Sequence, residues 1–313
     1  MTTKPRLGTG FGPGTLGFPR AEEVLTFGQR ADEIGFDHFW VNDHVSWTHP
    51  LFDPAVLLSA VAARTSRIEL ATGVYLLPLR SPTITARAFA SLDYLSGGRA
   101  LLGVGIGGEF DADFAAAGIP IGERAGRTDA TVQVLKELWR GEPTSLHDNY
   151  FDFDDVQVLP RPVSGTVPII IGGRSDAALK RAARLADGWM PYLMSPDRVQ
   201  SGIRRLRELA PSRQLRVVAH VFACFGSDVA SAEERATAYL SAQYHRDMSG
   251  TVSKCVPCGP VEVIAERLRD YALDGVTDVV LRPLHEPGDL VSSLENHSAE
   301  VLRIWRQEGG GQW

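Results

Sequence analysis

Asn42, Asp43 and His44 follow directly on an apolar run, His38-Phe39-Trp40-Val41, and Trp47 stands three residues further on. A run of that length and composition reads as a short buried strand. Polar side chains where such a strand stops are costly to desolvate, so they belong at a carboxyl edge that solvent and ligands reach. An imidazole there suits proton transfer near neutral pH. Two glycine-rich edges hold the same position after later apolar runs, Gly105-Ile106-Gly107-Gly108-Glu109 and Gly172-Gly173-Arg174-Ser175. The second opens onto a predicted helix. Its glycine backbone, the helix start and the Arg174 charge are the ingredients of a phosphate site, although a Gly-Gly pair equally serves plain turn geometry. The first lacks dinucleotide-motif spacing, and Glu109-Phe110-Asp111 does not read as a helix start, so it is expected to lie flat against a planar ligand.

Other chemistries find little support. His44 has only carboxylates for company, which is a poor metal set, and no nucleophile elbow accompanies it. Cys255-Val-Pro-Cys258 has redox spacing but no second pair and no thioredoxin context, so it is taken as incidental. His220, mid-strand, is expected to be a satisfied core histidine, and Trp189 and Tyr192 either wall the site or merely pack.

These edges need elements to hold them. Apolar runs near Leu7, His38, Ile68, Arg99, Val167, Trp189, Leu215 and Val276 alternate with stretches of helical spacing. Asp53-Pro54 is a cap followed by a first-turn proline, and Gly35 ends the first helix. Eight strand-helix units at intervals of roughly 30 to 40 residues predict a closed α/β (β/α)8 barrel, the TIM barrel, in preference to an open sheet. One domain over 1–313 is expected, with insertions at 141–165 (hairpin-like) and 249–258 (irregular), and a mobile tail at 308–313.

With 313 residues, 44% of them apolar and 22% charged, the chain has an ordinary globular composition. A net charge of −6 argues against nucleic acid or an anionic membrane as partner. No apolar run approaches the roughly 18 residues of a spanning helix, and the amino terminus lacks the core of a signal peptide. Three cysteines, all late in the chain, fit a reducing cytoplasm.

Trp40 to His44, Thr65 to Val74, Pro78 to Pro82, Leu95 to Gly105, Ile169 to Arg174 and Ala186 to Trp189 together resemble the luciferase-like monooxygenase superfamily. Asp-His followed closely by Trp resembles its branch that uses the deazaflavin coenzyme F420. The resemblance implies that Asp43 bonds the coenzyme, that His44 acts at the reacting carbon and that Trp47 walls the substrate. It further implies a bulge at Gly73 and Val74, often with a non-prolyl cis peptide, that contacts the coenzyme together with Thr72. An active-site carboxylate at Glu109 follows Gly107 and Gly108, and a phosphate loop lies at Gly172, Gly173 and Arg174. An extra glycine before Glu109, and Ala112 where some members carry a polar group, are departures from the pattern. The implied activity is hydride transfer between reduced F420 and an electrophilic carbon of a small organic substrate, with His44 exchanging the proton. An FMN-dependent monooxygenase with a partner reductase is the alternative, and a homodimer is expected.

Overall fold

Parallel strands demand crossovers, and in the computed structural model, which describes residues 4–12, 17–284 and 288–307, helices supply them. The first half runs β1 (Arg6–Phe11), α1 (Ala21–Ile34), β2 (His38–Val41), α2 (Pro54–Ala62) and β3 (Glu69–Thr72). A cis Gly73–Val74 peptide then leads into β4 (Tyr75–Leu76), followed by α3 (Pro82–Ser96), β5 (Ala100–Gly105), α4 (Asp111–Ala117) and α5 (Arg124–Leu138). An antiparallel pair, β6 (Thr144–His147) and β7 (Asp152–Val156), interrupts the rhythm where a hairpin was expected. The second half runs β8 (Ile169–Gly172), α6 (Asp176–Leu185), β9 (Gly188–Met190), α7 (Pro196–Leu209), β10 (Arg216–Phe225) and α8 (Val229–Tyr244). It ends with α9 (Ser249–Cys255), β11 (Cys258–Gly259), α10 (Val261–Arg269), β12 (Asp278–Pro283), α11 (Leu290–Ser293) and α12 (Ala299–Gln307).

Strands β1, β2, β3 with β4, β5, β8, β9, β10 and β12 pair in parallel in that order, and β12 pairs back onto β1. The sheet therefore closes into the expected (β/α)8 barrel. Local chemistry starts several helices. Asp53 accepts the Val56 N–H at 3.1 Å, and Ser175 and Asp228 cap α6 and α8 in the same way. Outward strand faces and inward helix faces form the large core, while Trp40, Ala71, Leu101, Ile170, Met190, Val218 and Val280 fill the barrel interior.

Two segments differ from the sequence expectation. Residues 249–258 are regular, forming α9 and then β11, which extends the sheet beside β10. Phe110 to Asp111 does start a helix, α4, even though no side chain caps it. Acidic residues in its first turn (Asp111, Asp113) and the left-handed Gly118 that ends it define its limits. Residues 13–16 of the loop after β1, and the tail at 308–313, lie outside the described residues.

Candidate active site

The carboxyl ends of the strands surround a cleft of about 900 Å3, counted out to its open mouth. Its wall takes Asn42, Asp43, His44 and Trp47 from the loop after β2 and Gly73 and Val74 from the cis bulge. The segment after β5 supplies Gly107, Gly108 and Glu109, and β8 supplies Gly172 and Gly173. His44 and Glu109 thus share one cavity. Val74 sits between two glycines: a Cβ on Gly105 would lie 2.4 Å, and one on Gly172 2.5 Å, from its methyl groups. The two glycines thus leave room for the Val74 side chain, which the cis bulge presents between β5 and β8 at the cleft.

His44 is fixed by a residue that the sequence did not single out. Its Nδ1 lies 2.7 Å from Asp113 Oδ2, and the backbone N–H groups of Val45 and Ser46 donate to Asp113 Oδ1 at 2.7 and 2.8 Å. Burial alone would raise the Asp113 pKa, but these hydrogen bonds, led by His44, hold it below the usual carboxylate value. A carboxylate on Nδ1 selects the tautomer that carries its proton there, so Nε2 is left for exchange. The Trp47 ring lies 3.7 Å from the imidazole, centroid to centroid, and Phe110 meets both rings edge-on. The buried Trp47 Nε1 has no hydrogen-bond partner among the described residues. An unsatisfied buried donor is expensive, and here it borders the cleft.

Other expected residues fall differently. Glu109 does not touch His44; it accepts from the Tyr192 hydroxyl at 2.8 Å and lies 3.5 Å from Arg174 Nη2. Tyr192 is therefore wall and not packing, and burial first, then the Glu109 charge, pushes its phenol pKa up. Asp43 reaches the cleft edge, but its carboxylate is held bidentately by Arg80, at 2.7 Å to each oxygen, and also accepts the Leu76 N–H. Thr72 is not brought to the cleft: fully buried, it donates to the Gly103 carbonyl at 2.8 Å. Gly172, Gly173 and Arg174 do open onto α6, as the phosphate-site expectation requires, but the Gly173 N–H already donates to Met190.

His220 corrects the expectation of a satisfied core histidine. It lines the cleft with Nδ1 unpartnered, and burial, reinforced by the Arg282 charge, lowers its pKa to about 3. Trp189 merely packs, its indole donating to Gly173. Gln243 and Tyr244, from the end of α8, complete the wall and carried no pattern in the sequence. For Asp113 the one available signal was the acidic pair Asp111 and Asp113, which the helix dipole favours in a first turn, as in α4. Among the described residues no cluster of potential ligands could hold a metal ion. No described helix is long and apolar enough to cross a membrane.

The luciferase-like monooxygenase family model matches residues 2–278. The chain belongs to that family. An F420-dependent glucose-6-phosphate dehydrogenase of Nakamurella multipartita is 34% identical over 220 residues, which cover 62% of this chain and 63% of that one. An uncharacterized Mycobacterium tuberculosis protein is 36% identical over 164 residues, 51% of this chain and 56% of its own. The chain thus aligns with somewhat over half the length of these relatives. An F420-dependent secondary alcohol dehydrogenase, solved with an F420-acetone adduct, superposes with a TM-score of 0.82 at 19% identity, covering 97% of this chain and 100% of that one. The F420-dependent tetrahydromethanopterin reductase of Methanopyrus kandleri gives 0.78 at 20% identity, covering 97% and 100%. At such identities these two likenesses establish the fold.

Proposed function

We propose that this chain is an F420-dependent oxidoreductase acting on a small organic substrate with an electrophilic carbon, such as a ketone, imine or activated alkene. The observation that carries the proposal is the His44–Trp47 pair. One ring has Nδ1 tied to Asp113, the other has a buried N–H without a partner among the described residues, and both border a cleft in which Gly105 and Gly172 make room for Val74. The F420-dependent relatives support the choice of coenzyme.

The residues present fit a flat ring bearing a phosphate tail. Val74, seated between Gly105 and Gly172, offers the floor, and Gly172, Gly173 and Arg174 at the start of α6 would hold the tail. Gly107 and Gly108 border the same space. Asp43, held by Arg80, acts by fixing the turn that presents His44. Bound deazaflavin supplies or accepts a hydride there, and the protein supplies orientation and electrostatics. For reduction, protonated His44 gives a proton from Nε2 to the substrate heteroatom; for oxidation, neutral Nε2 takes it back. Asp113 stabilises the imidazolium in either direction. The Trp47 N–H donates to the substrate oxygen or nitrogen and so acquires the partner it lacks. Glu109, steadied by Tyr192 and Arg174, presents a carboxylate edge to coenzyme or substrate.

The test is titration of the purified protein with oxidised F420 and with FMN, followed by turnover with and without oxygen. Saturable F420 binding and oxygen-independent turnover support the proposal. Tight FMN binding with oxygen consumption would replace it with the monooxygenase alternative. A homodimer is part of the proposal, supported by exposed apolar side chains on the neighbouring helices α2 and α3 (Val56, Ile84 and Leu95), and sedimentation tests it.

A further inference from the structure

We infer that Arg282, with Asn42 and His220, forms a subsite for a carboxylate carried by the substrate, on the β12–β1–β2 side of the cleft. The inference rests on the oxidoreductase proposal only for the word substrate. Its basis is an unfilled guanidinium. Arg282 sits near the carboxyl end of β12, 4% exposed, and faces the barrel interior two residues after Val280. Nη1 is anchored, donating to the carbonyls of Gly10 at 2.9 Å and Pro283 at 3.2 Å. Nε is buried without a partner, and Nη2 donates to no described residue. Nε–H and one Nη2–H point the same way and form the fork that grips a carboxylate through two parallel hydrogen bonds. So the fork has no partner among the described residues while the other edge is fixed; it lies behind the cleft-lining Asn42, His220 and Phe222, and a carboxylate reaches it by displacing those side chains.

Most other buried or half-buried arginines are paired, although Arg124 Nε is also buried without a hydrogen-bond partner among the described residues. Arg181, also buried, pairs with Asp129, and the half-buried Arg80 and Arg216 each hold a carboxylate. An unpaired buried cation is costly, and burial pulls the Arg282 guanidinium pKa down to about 10. The surroundings suit an anion with acceptor oxygens. A Cβ on Gly12 would lie 2.0 Å from Arg282 Nη2 and 2.6 Å from Asn42 Oδ1, so that glycine leaves room for both polar ends. Phe222, opposite Arg282 in the strand register, and His220 both line the cleft. Neutral His220, with Nδ1 unpartnered, is free to donate a further hydrogen bond. The proposed coenzyme tail site at Gly172 lies on β8, which is not a neighbour of β12, β1 or β2 in the sheet.

The experiment uses benzoate as probe, with benzamide as its uncharged isostere and inorganic phosphate as a second anion. Binding is read by thermal shift and intrinsic fluorescence in wild type, Arg282→Gln and Gly12→Ala. Gly12→Ala keeps the charge but displaces the guanidinium, so it serves if the first variant fails to fold. Benzoate should bind wild type and benzamide at least tenfold more weakly. Either substitution should cost about 10- to 100-fold in benzoate affinity, the range for charge-assisted bidentate bonds, while F420 affinity stays within about twofold. Equal response to benzoate and benzamide, benzoate affinity unchanged in both variants, phosphate bound in place of benzoate, or competition between benzoate and F420 would each overturn the inference. None of these arms needs turnover, so a failed F420 titration leaves the benzoate comparison readable.

Discussion

The two ends of the barrel differ in how far their buried polar groups are paired: the amino end is a closed charge cluster, while the carboxyl end sets paired groups such as Asp43–Arg80 beside unpaired ones. At the amino end, Arg216 donates to both oxygens of Asp278 and to Glu69, while Arg6 bonds the same two carboxylates from the other side. His38 lies against this plug, its Nε2 3.3 Å from Asp278 without a well-aligned hydrogen bond and its Nδ1 accepting from the Trp40 indole at 2.6 Å. At the carboxyl end, Trp47 Nε1, His220 Nδ1 and Arg282 Nε have no hydrogen-bond partner among the described residues. The difference teaches where to look for function in a closed barrel. Charges that saturate one another hold the strands in register, whereas valences left open at a strand edge are kept for a ligand.

Four substitutions would break or sharpen that contrast. His44→Ala should lower turnover by about 10²- to 10⁴-fold, the usual worth of a positioned proton donor, with F420 affinity within about threefold; steady-state kinetics and coenzyme titration separate the two, and full turnover would remove His44 from the chemistry. Asp278→Asn should cost about 3–5 kcal/mol in urea unfolding, because it leaves two arginines short of a partner, yet leave coenzyme binding to the folded protein unchanged. Burial alone would raise the Asp278 pKa, but His38 and Arg216 hold it far below the usual carboxylate range, and Glu69 is lowered as well. A depressed folded pKa means that the stabilisation is complete above the unfolded value near 4 and is lost as pH falls below it. The urea midpoint of the wild type should therefore drop on acidification below about pH 4, and that of Asp278→Asn should drop less. If the two proteins titrate identically, the plug is not the acid-labile element.

Asp113→Asn should lower kcat by about 10- to 100-fold and change the pH profile of turnover, since the amide keeps the shape but neither fixes the tautomer nor stabilises the imidazolium. An unchanged profile would mean that Asp113 only braces the Val45–Ser46 turn. Trp47→Phe, which removes one N–H and little else, should cost about tenfold in kcat/KM with thermal stability unchanged or raised, because the lost donor was unsatisfied in the free protein. A drop in stability instead would make the indole structural.

Much of this architecture was readable in the chain itself. Strand-ending polar triplets, glycine edges, Asp53-Pro54 and the hairpin-like 141–165 stretch announce themselves through composition and local spacing. So did the convergence of His44 and Glu109 on one mouth, because closing alternating strand-helix units brings all carboxyl edges together. What the chain hid were partners. Glu109 was the expected active-site carboxylate, but the carboxylate that bonds His44 is Asp113, because α4 begins at Asp111 and turns its first-turn carboxylate back onto the loop after β2. Thr72 looked like a coenzyme contact and instead bonds the neighbouring strand. Asp43 was expected to bond the coenzyme and is clamped by Arg80.

By itself the sequence determined the period, the order of elements and the residue types delivered to each strand tip, all of which follow from nearest-neighbour chemistry along the chain. Only the tertiary structure decided which polar groups are satisfied and which are left open. That depends on contacts between residues as far apart as Gly10 and Arg282, which meet only because β12 pairs back onto β1 and closes the sheet.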